Sequence, residues 1–442
     1  MMGLNGTRFK RCTSLLALFL AGCSLSSDVS IGPLLLLPSD TRNGAATIAG
    51  FVGIGDYPQA ILLGEGIESR PRVSSQDLAA LGSAELAAGR IDAARRHLRT
   101  ALDLKPFHTE VAHIAWDLSQ TEYLANNYAS AAEWAHYAVD RGLAVKDWHI
   151  SYLESLVGVD VYHFSGRDSV RQDMVVEKPS VPRIQVTANN QTLTAIVDTG
   201  AALSIISAPK ADKAGVRRLG DFKGTFYGLL GEPISVSFGL IDRLQIGGMT
   251  IANVPVAIMD ESKMRFVSDN RQPFDIGILI GTNLLKEFKL DFNFRSGSLT
   301  MTHLKESDHN PAPDQNLFII GSRPLVHGTI NRHGWYLFVL DTGSEITFLN
   351  ETEVATTPKL RQLPQMHGAL LQGLGGTMKH GTRIENIEVG IDKWAGTFRQ
   401  IPLYSSEKNE AFGIIGENML KHFRLTIDFG SMRVTLKPDR IL

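Results

Sequence analysis

Three patterns of apolar and polar positions follow one another along the chain. At the start, Arg8, Lys10 and Arg11 precede a mostly apolar run from Thr13 to Ala21. That run is too short to cross a bilayer as a helix and has the layout of a secretory leader. From Ser74 to about Leu143, Ala and Leu recur at helical spacing: Leu78, Leu81, Ala84, Ala88, then Ala94, Leu98, Ala101. Gly89 separates the first two helices, and Lys105-Pro106 ends the second. A weaker second copy runs from about Thr109, with Ala131, Ala135 and Ala138 in the same roles. From about Pro182 the period changes to alternation with Asn/Gly turns, which predicts strands.

The strand-rich half is duplicated. Ile184–Thr187 and Leu193–Val197 flank Asn189-Asn190, and the second strand runs into Asp198-Thr199-Gly200-Ala201. Val326–Ile330 and Tyr336–Leu340 flank Asn331-Arg332-His333-Gly334, and that strand runs into Asp341-Thr342-Gly343-Ser344. Gly228-Leu229-Leu230-Gly231 answers Gly373-Leu374-Gly375-Gly376. Ile278-Leu279-Ile280-Gly281-Thr282-Asn283 answers Gly413-Ile414-Ile415-Gly416-Glu417-Asn418, and the segments from Lys286 and Lys421 also correspond. Two copies of one β-rich lobe are therefore expected, joined where Pro, Asp and Asn cluster.

Composition narrows the chemistry. With 442 residues, 43% of them apolar, the chain has ample material for packed cores. A formal charge of −2 leaves no basic footprint for nucleic acid. Both cysteines, Cys12 and Cys23, lie at the extreme N-terminus, so no disulfide scaffold or Cys-rich zinc site is expected. The histidines are scattered, and no His-Glu-x-x-His, phosphate-binding loop or Gly-x-Ser-x-Gly elbow is present. No cofactor or metal is expected. The two Asp-Thr-Gly triplets remain as the candidate chemistry.

Three family resemblances give this pattern a fuller reading. Leu20-Ala21-Gly22-Cys23 resembles the lipobox of bacterial lipoproteins, which implies removal of residues 1–22 and lipidation of Cys23. With Ser24 after it, the resemblance implies the periplasmic face of an outer membrane. Leu78, Leu81, Gly82, Ala94, Leu98, Ala101 and Pro106 resemble a tetratricopeptide repeat, which implies a protein partner through residues 74–150. Each β lobe resembles the retropepsin-type half of the pepsin-like aspartic proteases: apolar-apolar-Asp-Thr-Gly-Ser/Ala, a Gly-rich flap, and an apolar-apolar-Gly segment.

That last resemblance implies a two-Asp endopeptidase acting on extended envelope polypeptides. Asp198 and Asp341 are its catalytic pair. Thr199, Gly200, Ala201, Thr342, Gly343 and Ser344 support the loops, and Gly228, Gly231, Gly373, Gly375 and Gly376 form substrate flaps. The Ser344 hydroxyl is expected to hydrogen-bond Asp341 and favour its ionised form, leaving Asp198 protonated.

The expected architecture is multidomain, a short all-α segment before an all-β double-lobed body. Its parts are a leader (1–22), a tether that either hangs free or packs on a later domain (23–73), the helical segment (74–150), a linker (151–180), lobe 1 (181–307), a second linker (308–323) and lobe 2 (324–442). An inactive peptide-binding groove and a helical assembly protein remain as alternatives. Two further questions stay open: whether each lobe pairs within the chain or with a second copy, and whether residues 24–180 restrain the groove or recruit substrate.

Overall fold

A computed structural model describes residues 29–34, 47–175, 181–227, 232–267, 273–372, 378–404 and 411–438. In the helical part, Ser75–Ala87 pairs with Ile91–Asp103 and His108–Leu124 pairs with Tyr128–Val139; Asp147–Ser155 follows. Ser74 caps the first of these, its Oγ accepting from the Asp77 amide at 3.0 Å. Gly89 takes φ +70°, which lets the chain reverse before Ile91. The spacing of small residues sets how closely the helices approach. Ala84, Ala94, Leu98 and Ala101 are fully buried between the first pair, and Gly82 lies directly against the Leu98 side chain. Ala131, Ala135 and Ala138 do the same for the second pair.

The β half holds two sheets with one strand order. In lobe 1 it runs His163–Gly166, Met249–Met259, Ile205–Ser207, Ile278–Ile280, Gln191–Val197, Arg183–Ala188, Pro233–Ile246, Arg217–Tyr227. In lobe 2 it runs Val29–Pro33, Trp394–Tyr404, Phe348–Asn350, Gly413–Ile415, His333–Leu340, Arg323–Ile330, Met378–Ile391, Gln365–Gln372. Along these two orders each strand has its counterpart, and lobe 2 carries one strand more, Leu317–Ile320. The short central strands Ile278–Ile280 and Gly413–Ile415 are buried on both faces, which is why they read as unbroken apolar runs.

A third sheet crosses between the lobes. Phe288–Asn293 of lobe 1 pairs antiparallel with Phe423–Asp428 of lobe 2, with Leu290 opposite Ile427. Ser298–His303 and Arg433–Pro438 flank them, and Ser169–Asp173 adds the outer strand. The two segments that correspond in the duplication therefore meet each other, inside one chain.

Several expected boundaries shift. The stretch 151–180 contains two strands, His163–Gly166 and Ser169–Asp173, which join lobe 1 and the crossing sheet. They are too short to show a period in the sequence. Within 23–73, Val29–Pro33 packs as an edge strand of lobe 2, and helices Ile48–Gly53 and Tyr57–Gly64 lie against that lobe, with Tyr57 and Phe318 rings 5.3 Å apart. The expected linker 308–323 contains Leu317–Ile320, a strand paired with Arg323–Ile330. The lobe 2 hairpin turn is Asn331-Arg332, both at positive φ, rather than four residues.

Candidate active site

Each Asp-Thr-Gly loop leaves the end of a central strand. Asp198 follows Gln191–Val197 and Asp341 follows His333–Leu340. Each strand lies parallel to the short apolar strand of its lobe, and the aspartate amide donates to that strand's last carbonyl: Asp198 to Ile280 and Asp341 to Ile415, both at 3.0 Å. Beyond those strands, Thr282 donates to the Ala201 carbonyl and Glu417 to the Ser344 carbonyl, both at 2.7 Å. Gly281 and Gly416 sit against the backbone of Leu203 and Ile346, where a side chain has no room.

The loops interlock across the pseudo-two-fold axis. The Thr199 hydroxyl donates to the Leu340 carbonyl at 2.6 Å and accepts from the Thr342 amide at 3.0 Å. The Thr342 hydroxyl donates to the Val197 carbonyl at 2.6 Å and accepts from the Thr199 amide at 3.2 Å. Four bonds thus tie the two strands that deliver the aspartates. Gly200 faces the Asp341 carboxyl and Gly343 faces that of Asp198, so a methyl group at either position would overlap the opposite carboxylate.

Both aspartates are fully buried. Asp198 Oδ1 accepts from the amides of Gly200 at 2.9 Å and Ala201 at 3.0 Å. Asp341 Oδ1 accepts from Gly343 at 2.8 Å. Neither Oδ2 has a hydrogen-bond partner elsewhere among the described residues, and the two carboxyl groups are close enough to share a proton. Burial, then the charge of Asp341, holds the Asp198 carboxyl well above the ordinary carboxylate range. Burial raises Asp341 too, but the Gly343 amide, a hydrogen bond from Asp198 and the Arg323 guanidinium draw it back. Both carboxyl groups are thus raised and titrate as one pair, with the Arg323 guanidinium favouring negative charge on the Asp341 side.

The cause differs from the one expected. Ser344 Oγ donates to the Ile346 carbonyl at 2.8 Å and does not serve the carboxylate. Arg323 contributes instead. The register that pairs Leu325 with Val339, carried two residues along, sets buried Arg323 beside Asp341; the same step in lobe 1 sets Val181 beside Asp198.

The structure brings Asp198, Thr199, Gly200, Ala201, Asp341, Thr342, Gly343 and Ser344 to one place. The expected flap glycines Gly228, Gly231, Gly373, Gly375 and Gly376, and Cys23, lie outside the described residues. Sequence reasoning missed the residues that hold the loops in shape. Asn283 Oδ1 accepts from Ser204 N at 2.7 Å and Ser204 Oγ at 2.9 Å; Asn418 Oδ1 accepts from Thr347 N and Oγ1, both at 2.8 Å. Those hydroxyls in turn accept from the Gly281 and Gly416 amides, both at 3.1 Å. The signal was the Asn repeated at one position of the duplication. Among the described residues, no three His, Cys, Asp or Glu side chains converge as a metal site.

Comparison with known proteins adds to this geometry. The family model described as aspartyl protease matches residues 184–284. Among solved structures, a retropepsin-like aspartic protease from Rickettsia conorii is 18% identical, covers 33% of this chain and 97% of its own, and gives a TM-score of 0.22. An aspartic proteinase from Irpex lacteus is 13% identical, covers 61% of this chain and 97% of its own, and gives 0.38. No curated protein matches. The matched segment lies within lobe 1, and lobe 2 repeats its strand order and its Asp-Thr-Gly loop, so the β half holds two lobes of the arrangement that the family model matches in one.

Proposed function

We propose that this protein is an aspartic endopeptidase that hydrolyses extended polypeptide segments with Asp198 and Asp341. The observation that carries this reading is the pair of buried carboxyl groups, interlocked across the axis, each with an Oδ2 left for a third party. Two like charges at this separation do not both ionise readily, so the pair holds one proton. With Asp341 ionised, its carboxylate takes a proton from water as the water oxygen bonds to the scissile carbonyl carbon. Asp198 gives its proton to the carbonyl oxygen, forming a neutral tetrahedral diol. The C–N bond then breaks as the proton on Asp341 passes to the departing nitrogen and a diol proton returns to Asp198. Atoms and charge balance without a covalent intermediate.

The finer parts of the reading rest on sequence. A lipid on Cys23 would tether the enzyme to a bacterial envelope membrane, with the outer membrane's periplasmic face favoured by Ser24. The sequence of residues 74–150 resembles the tetratricopeptide pattern, and its helix pairs are the proposed surface for a protein partner.

The test is a digest of denatured envelope proteins by the purified protein, with Asp198→Asn and Asp341→Asn beside it and pepstatin as a further arm. Loss of at least about 1,000-fold in kcat/KM is expected in either variant, within the range of removing a group from a cooperative catalytic unit. Cleavage that survives both substitutions would remove the mechanism.

A further inference from the structure

The helical region is not merely adjacent to lobe 1. Trp116, Tyr152, Leu153 and Leu156 share one buried core with Ile196, Phe226, Phe238 and Leu279 of the lobe. Ile196 lies on the strand that ends at Asp198, and Leu279 on the strand beside it. Gly224 is pressed against the backbone and Cβ of Trp148, whose ring lies 5.1 Å from Phe226. Stripping these helices away would expose the underside of the Asp198 strand.

A second tie is polar and more specific. Asn283, whose Oδ1 braces Ser204 in the Asp198 loop, donates from Nδ2 to the Tyr162 hydroxyl at 3.2 Å and to the Pro255 carbonyl at 3.1 Å. Tyr162 is buried and has φ +57°. A bulky residue in the left-handed region is an outlier that persists only where its surroundings hold it. Here the Tyr162 amide donates to the Asn253 carbonyl, and Asn253 Nδ2 donates to the Asp160 carbonyl at 2.8 Å. The residue that follows the helix of Asn283 is tied as well. Lys286 Nζ, buried, donates to the Leu124 carbonyl at 3.2 Å and to Asn126 Oδ1 at 2.7 Å, at the end of the helix His108–Leu124. Its lobe 2 counterpart, Lys421, is exposed and 3.8 Å from Glu417 of its own helix.

We propose that residues 47–175 are a permanent part of the catalytic body, with Tyr162 as a positioning residue that fixes Asn283 and through it the loop of Asp198. This rests on the aspartic protease reading for its activity but not for its architecture. The helices are then retained in the working enzyme, unlike a propeptide that restrains the groove and is cut away.

The test uses the full chain in two forms. Tyr162→Phe keeps the ring and removes the hydroxyl. It is expected to lower kcat roughly 3- to 30-fold with KM within about twofold, the pattern of a lost interaction that matters only in the transition state. Unchanged kcat, or a change confined to KM, overturns the positioning role. In the second form a specific protease site is placed at residues 176–180 and cut. The two pieces are expected to co-elute and keep their activity. Separation of the helical piece with activity retained or increased overturns the proposal, and this holds even where Tyr162→Phe does not fold. Asp198→Asn is the blank throughout: cleavage surviving in it defeats the protease reading, whereas co-elution is read without any activity.

Discussion

At the scale of single residues the site is an exercise in making two identical side chains unequal. Asp198 and Asp341 leave equivalent strands and are equally buried, yet Arg323 stands beside one and Val181 beside the other. A carboxyl whose folded value is raised binds protons better in the folded chain than in the unfolded one. Its contribution to stability is whole below the unfolded value of 3.8 and is lost as pH rises through about 7, the folded value of Asp341. The wild-type melting temperature is therefore expected to fall, between about pH 4 and pH 7, by several degrees more than that of Asp341→Asn, which lacks one of the two raised carboxyl groups. Parallel curves for the two proteins in a thermal melt series would contradict the burial argument.

At the scale of elements, the catalytic loops are held by short pieces that have little structure of their own. Thr282–Leu285 and Glu417–Leu420 are single helical turns, and Ile278–Ile280 and Gly413–Ile415 have three residues each. Helices this short do not form alone, so side-chain bonds from Asn283 and Asn418 stand in for the missing ladder. Asn418→Ala would strand the buried Thr347 amide and hydroxyl. A buried group left unpaired costs about 1–3 kcal/mol, so a loss of roughly 2–4 kcal/mol is expected in urea unfolding, with the slope of the transition unchanged. A loss below about 0.5 kcal/mol would show that the asparagine does not brace the loop.

At the scale of the whole molecule, the sheet that crosses between the lobes decides how the carboxyl groups meet. Leu290 and Ile427 are fully buried partners in that sheet, on strands from the two halves of one chain. The covalent connection keeps the lobes at high effective concentration, and the Thr199–Thr342 interlock joins them again at the active site. Activity per molecule is expected to stay constant from micromolar down to low nanomolar protein, measured in a fluorogenic peptide assay. Specific activity falling with dilution would mean that the lobes pair between chains instead.

Legibility in the sequence tracked the range of the interactions involved. The helix pairs, the strands around Asn189 and Asn331 and the two Asp-Thr-Gly loops rest on local period, turn residues and a duplication that repeats its motifs in order, and all of these are written in neighbouring residues. The Asn283 and Asn418 braces were visible only as a repeated letter, because a side-chain bond to Ser204 or Thr347 spans a long stretch of chain. Strands such as Val29–Pro33 and Ser169–Asp173 were invisible, since an edge strand of five residues takes its identity from the sheet it joins. The sequence alone determined that there are two lobes and two candidate aspartates. Only the tertiary structure decided that the lobes close on each other within one chain, that Arg323 rather than Ser344 distinguishes the two carboxyl groups, and that the helices share a core with lobe 1, because burial and charge at a site are set by what folding brings beside it.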